Sequence, residues 1–99
     1  MTDAILQHRE RGLLTLQLNR PDKKNALTRA MYTLLAEALE QADADADVRS
    51  VLIQGSSECF TAGNDIADFL EQPPSDLDSP PFHFMKSLLN CRKPVIAAV

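Results

Sequence analysis

Between Leu27 and Ala42, seven apolar residues recur at three- and four-residue steps: Leu27, Met31, Leu34, Leu35, Ala38, Leu39 and Ala42. An α-helix turns once in about 3.6 residues, so this spacing lays a single apolar stripe along one face. The pattern predicts a helix from Leu27 or Thr28 to about Ala42. Thr28 suits the N-cap, because its hydroxyl can accept a backbone N–H of the first turn. The run Asp43-Ala44-Asp45-Ala46-Asp47 has lost the stripe and reads as a solvated helix exit.

Strand patterns flank this helix. Leu14, Leu16 and Leu18 alternate with Thr15, Gln17 and Asn19, the period of a half-buried strand, and Ile5 to His8 is expected to join it around Gly12. Asn19-Arg20-Pro21-Asp22 then breaks the pattern with turn residues. The short apolar run Ser50 to Gln54, ended by Gly55, fits a strand buried on both faces. A short helix is expected from about Asn64 to Leu70, with Ile66, Phe69 and Leu70 on one face. Gln72 to Pro81 holds four of the six prolines and reads as a surface loop or flap. Phe82 to Asn90 should be helical, and Pro94 to Val99 a further strand. The chain stops inside that apolar strand with no turn or polar tail, which reads as the N-terminal part of something longer or as a chain completed by a partner.

Composition removes several function classes. The 99 residues allow at most one modest domain, and the formal charge of −4 leaves no basic stripe for nucleic acid. No apolar run of about 18 residues suggests a membrane span, and no charged start followed by an apolar run suggests a signal peptide. The chain reads as soluble and cytoplasmic. Cys59 and Cys91 lack metal-ligand spacing and read as reduced thiols in or near a core. His8 and His83 show no partner at a useful spacing. No Ser/His/Asp arrangement, phosphate-cradling glycine loop or metal cluster is present.

One stretch remains, "CFTAGNDIADF" from Cys59 to Phe69. It contains the only glycine of the last 44 residues, in a small-residue turn, Thr61-Ala62-Gly63, that runs into a helix start. Such a turn either simply joins a strand to a helix or exposes bare backbone N–H groups to a ligand. Asp65 suits a helix cap or a first-turn acid better than a catalyst. Arg20, Lys23 and Lys24 form the one local basic cluster, just before a helix N-terminus, where anions are favoured. Asp22 puts an acid into it.

Three pieces in order, "LNRPDKKNAL" (Leu18 to Leu27), "VLIQGSSECFTAGNDI" (Val51 to Ile66) and "KPVIAAV" (Lys93 to Val99), resemble the crotonase (enoyl-CoA hydratase/isomerase) superfamily. Each piece alone is weak; their order and spacing cover nearly the whole chain. "NRPDKKNAL…MY" with "AGND" looks closest to the peroxisomal-type Δ3,Δ2-enoyl-CoA isomerase branch and its bacterial relatives.

The resemblance implies an α/β, crotonase-like (ClpP/crotonase) fold of repeated strand-strand-helix turns. Residues 1–99 would be the N-terminal part of a single such domain, incomplete in this chain. It implies an acyl-CoA thioester substrate and an enolate whose oxygen is held by two backbone N–H groups, each contributing about 3 kcal/mol or more. By position in the motif the first donor would be the amide of Ala62. Gly63, Asn64 and Asp65 would line the thioester, Ile66 and Phe69 would wall the acyl chain with Leu70, and Lys23 and Lys24 would meet coenzyme A phosphates. The second donor and the catalytic glutamate would come after Val99, so the 99 residues alone should be inactive. The resemblance also implies a homotrimer or hexamer, with no metal and no cofactor beyond the coenzyme A of the substrate. The rival reading is a non-catalytic acyl-CoA-binding or assembly module with the same fold.

Overall fold

A computed structural model describes residues 3–71 and 79–99. Ile5–Glu10 (β1) and Leu13–Leu18 (β2) form an antiparallel hairpin closed at Arg11-Gly12, with Ile5 opposite Leu18 and Glu10 opposite Leu13. A single 3-10 turn, Pro21–Lys23, follows, and then helix α1, Arg29–Ala44. Ser50–Gln54 (β3) returns parallel to β2, as a strand must after a helical crossover. Ile66–Glu71 (α2) and Pro80–Asn90 (α3) lead to Val95–Ala98 (β4), parallel to β3. The four strands lie in the order β1-β2-β3-β4. This is the expected α/β architecture.

The helix and the sheet close on each other through two periodicities. Leu14, Leu16 and Leu18 of β2 and Val51 and Ile53 of β3 point to one face at steps of two. Against them α1 sets Met31, Leu35, Ala38, Leu39 and Ala42, all buried. Thr28 caps α1 as expected, its Oγ1 accepting the Met31 N–H at 3.2 Å. Burying a Leu or Met side chain in this layer contributes about 1.5–3 kcal/mol. Helix α3 packs on α1, and Phe84 and Leu88 reach the same core.

Three expectations change. Leu34 belongs to the apolar stripe by spacing but is 44% exposed, because the sheet covers a narrower arc than the stripe spans. β3 is buried on one face only, through Val51 and Ile53; Ser50, Leu52 and Gln54 are half-buried on the face that neither α1 nor α3 covers. Most of the loop expected over Gln72 to Pro81 lies outside the described residues, but Pro80 and Pro81 open α3. A proline fits the first turn because those N–H groups have no intrahelical acceptor.

The contrast between two leucines of similar chemistry tests this packing. Leu16→Ala, at a fully buried position, should lower unfolding free energy by about 2–5 kcal/mol, and Leu34→Ala by less than about 1 kcal/mol, in urea titrations of the chain.

Candidate functional site

Two segments distant in sequence, the turn after β2 and the loop after β3, meet on a buried amide. Asn25 is fully buried. Its Oδ1 accepts the Arg20 N–H at 2.8 Å and its Nδ2 donates to the Cys59 carbonyl at 2.9 Å. Its backbone carbonyl accepts the Thr61 hydroxyl at 2.7 Å, and Thr61 Oγ1 in turn accepts the Gly63 N–H at 3.1 Å. Asn25 has φ of 57°, in the left-handed region that Asn tolerates better than most residues. Cys59 and Phe60 themselves cross so close to Gly55 that a Cβ there would lie 2.3 Å from the Cys59 carbonyl oxygen.

The expected oxyanion donor is engaged. The Ala62 N–H donates to the Lys24 carbonyl at 3.0 Å, so it is not the bare donor expected there. The next residues form a parallel bridge between Leu27 and Asn64: the Leu27 N–H donates to the Gly63 carbonyl and the Asp65 N–H to the Leu27 carbonyl, both at 2.8 Å. In a parallel bridge of this kind one residue makes both bonds and its opposite number turns its own N–H and C=O away. Here Leu27 makes both. The Asn64 N–H accordingly has no acceptor among the described residues. Gly63, with φ of 97°, supplies the turn that separates the two amides.

Charged side chains lock this crossing. Arg20 is turned inward, donating to the Ala26 carbonyl at 2.7 Å and to Asp65 Oδ2 at 3.1 Å, so it leaves the basic cluster expected with Lys23 and Lys24. Asp65 Oδ1 accepts the Asp68 N–H at 3.0 Å, the capping role foreseen for it, at the start of α2. That backbone N–H first, and then Arg20, hold the Asp65 carboxyl below the usual carboxylate range. Asp68 Oδ2 accepts the Arg29 N–H at 2.8 Å, which ties α2 to the first turn of α1. Both acids beside the turn are thus committed to holding it.

Tyr32 of α1 reaches the same turn. Its hydroxyl donates to Asn64 Oδ1, and its ring lies against Phe84 with centroids 5.7 Å apart. Burial pushes the phenol pKa up, so the hydroxyl stays protonated at neutral pH. Behind these groups an apolar cavity of about 480 Å³ lies between the sheet and helices α1 and α3, with Leu27, Phe60, Thr61, Phe84 and Leu88 in its lining. That volume falls within the range of small-molecule sites.

The other expected residues fall outside the cavity wall. Ile66 and Leu70 are 75% and 70% exposed, Phe69 is partly so, and α2 buries none of its side chains. Lys23 and Lys24 are exposed on the 3-10 turn, with Asp22 beside them. His83 does have a partner: its Nε2 lies 2.5 Å from Glu40 Oε1, across 43 residues of sequence. His8 Nε2 lies 3.7 Å from Glu10 Oε2 on an exposed strand. Asn25 and Tyr32 were missed as site residues; the only sequence sign was their place inside the "NRPDKKNAL…MY" piece.

Residues 8–99 match the family model described as enoyl-CoA hydratase/isomerase. The chain is 34% identical to the mitochondrial Delta(3,5)-Delta(2,4)-dienoyl-CoA isomerase of Rattus norvegicus, over 91% of this chain and 32% of that protein. It is 37% identical to the 1,2-epoxyphenylacetyl-CoA isomerase of Escherichia coli K12, over 100% of this chain and 40% of that protein. Among solved structures, Pseudomonas aeruginosa OdaA superposes with a TM-score of 0.94 at 64% identity, covering 99% of this chain and 40% of that one. The chain therefore spans about a third to two fifths of the proteins it matches.

Two stability outcomes follow from the crossing. Asn25→Ala leaves the Arg20 N–H without its acceptor, leaves the Cys59 carbonyl to Ser56 alone, and puts Ala into left-handed backbone; urea unfolding should show a loss of about 2–4 kcal/mol. Because the Asp65 pKa is lowered on folding, its contribution is present above the unfolded carboxyl range and is lost as pH falls through the depressed value. Asp65→Asn should therefore be less stable than the parent at neutral pH, with the difference shrinking as pH falls below the ordinary carboxylate range. A constant gap in denaturation midpoint across that range would contradict it.

Proposed function

This chain belongs to the enoyl-CoA hydratase/isomerase family, and from that premise we propose that it contributes a thioester-binding turn in which the Asn64 N–H receives the acyl-CoA carbonyl oxygen. One observation carries the reading: the Asn64 N–H is unpartnered among the described residues, at a turn fixed by a buried hydrogen-bond network and next to an apolar cavity. A backbone N–H held in place before the reaction stabilises charge as it develops on oxygen, without reorganising at that moment. Asn25, Thr61 and Gly63 supply the rigidity. The cavity behind Phe60 and Thr61 gives an acyl chain an apolar environment, and the exposed amines of Lys23 and Lys24, on the turn that leads to Asn25, would meet coenzyme A phosphates.

Within the family, the proposed reaction is a double-bond shift of the Δ3,Δ2 type. The thioester polarised at its carbonyl makes the neighbouring C–H acidic, and a positioned base moves the proton between carbons. Two of the relatives above are named isomerases, which supports isomerisation over hydration. Self-association as a homotrimer or hexamer in the cytoplasm belongs to the same proposal. No helix among the described residues is long and apolar enough to cross a membrane.

A second reading has its own observation. Asp65 and Asp68 are both engaged by arginines and backbone N–H groups, which favours an acyl-CoA-binding module in which this turn holds the thioester without a base of its own.

The two readings share the polarised carbonyl and differ in turnover. Mixed with 4-hydroxycinnamoyl-CoA, the chain should shift the probe's absorbance to longer wavelength, as carbonyl polarisation does. Asn64→Pro, which removes the backbone N–H together with the side chain that accepts from Tyr32, should abolish the shift; Asn64→Ala, which removes that side chain but keeps the N–H, should not. A shift that survives in Asn64→Pro but disappears in Ala62→Pro would return the role to Ala62. Conversion of a 3-enoyl-CoA to its 2-enoyl isomer, assayed in a protein that carries the expected glutamate together with these residues, then separates enzyme from binder, and Asn64→Pro should slow it by about a hundredfold or more.

A further inference from the structure

Asn64 presents more than its backbone. Its side-chain Oδ1 is taken by the Tyr32 hydroxyl, which fixes the plane of the amide. Its Nδ2 carries two N–H donors and meets no acceptor among the described residues. Tyr32 is itself held: it issues from the first turn of α1, next to the buried Met31, and its ring rests on Phe84, which lines the apolar cavity. Leu27, the bridge partner of Asn64, lines the same cavity. One exposed residue at the edge of an apolar space thus offers a backbone donor and an oriented side-chain donor together.

We propose that the Tyr32–Asn64 pair is a specificity element that selects acyl chains bearing an oxygen close to the thioester, such as a hydroxyl or a carbonyl, over plain hydrocarbon chains. This rests on the placement of the thioester oxygen at the Asn64 N–H. With that oxygen there, the carbons next to the thioester pass the Asn64 side chain, and an oxygen on them can accept from Nδ2. Tyr32 makes the preference directional. By donating to Oδ1 it turns the accepting end of the amide away and leaves only donors for the ligand. A hydroxyl or carbonyl oxygen satisfies them; a methylene leaves them unpaired at the margin of an apolar wall. A net neutral hydrogen bond of this kind corresponds to a few-fold to tenfold change in affinity.

Calorimetric titration of the full chain with 3-hydroxybutyryl-CoA and with butyryl-CoA tests this. The two probes differ by one oxygen, so the ratio of their dissociation constants removes every contribution from coenzyme A. The parent chain should bind the hydroxyacyl thioester about fivefold more tightly. Asn64→Ala and Asn64→Asp should both bring the ratio to about one: the first deletes the amide, while the second keeps an acceptor for Tyr32 and loses the Nδ2 donors. Tyr32→Phe should lower the ratio part of the way, because the amide can then rotate. A merely structural loss would weaken both probes alike and leave the ratio unchanged. A parent ratio of about one, or a ratio that persists in both Asn64 variants, overturns the proposal. Equal binding of both thioesters sinks the specificity element alone, whereas binding of neither sinks the acyl-CoA reading and this inference with it.

Discussion

Asn25 joins the turn after β2 to the loop after β3 from a fully buried position. Its side chain accepts from one segment and donates to the other, and its backbone carbonyl takes the Thr61 hydroxyl. A buried amide with every hydrogen bond made is nearly neutral for stability, but removing one partner strands polar groups away from solvent. The Thr61-Ala62-Gly63 turn inherits its position from that asymmetry. Phe60 and Thr61 could not wall the cavity, nor Asn64 face away from Leu27, if the loop were free to slide along the turn.

Helix α2 shows the same reliance on polar contacts in a more exposed form. It buries no side chain, and what holds it is the Asp65 cap, the Arg20 guanidinium and the Arg29–Asp68 link to α1. Its apolar residues Ile66 and Leu70 stay in solvent because nothing described covers them. A segment tied by hydrogen bonds and ion pairs, with little buried apolar area, sits at the low end of local stability. The turn carrying Asn64 therefore stands between a rigid anchor at Asn25 and a weakly held helix.

How much of this could be read from the residues depends on the range of the interaction. Periodicity is local, so β2, α1 with its Thr28 cap, α3 and β4 were all legible, as was the capping role of Asp65. The crotonase-like α/β class followed from ordered pieces rather than from any single one. Leu34 misled because a step of three or four residues defines a broad arc, and only the sheet decides how much of it is covered. The one-sided burial of β3 likewise depends on where the helices settle. The His83–Glu40 contact and the Asn25–Cys59 bond join residues 43 and 34 apart, and no spacing rule reaches that far.

The contrast between Ala62 and Asn64 is the instructive case, because sequence pattern located the turn but could not show which of its amides is already bonded. In a regular extended chain the N–H groups of residues two apart face the same side. Ala62 and Asn64 would then both face the Lys24–Leu27 segment, or both face away. Gly63 breaks that rule: at φ of 97° its own N–H and C=O no longer lie on one side, so the alternation reverses there. The Ala62 N–H is left toward Lys24 and the Asn64 N–H away from Leu27. Any residue with a Cβ resists that dihedral, and Gly63 is needed for this alone, since a Cβ there would meet no atom within 4 Å. Within the protein the glycine's contribution is the direction of the peptide plane that follows it, and that direction leaves the Asn64 N–H without an acceptor among the described residues.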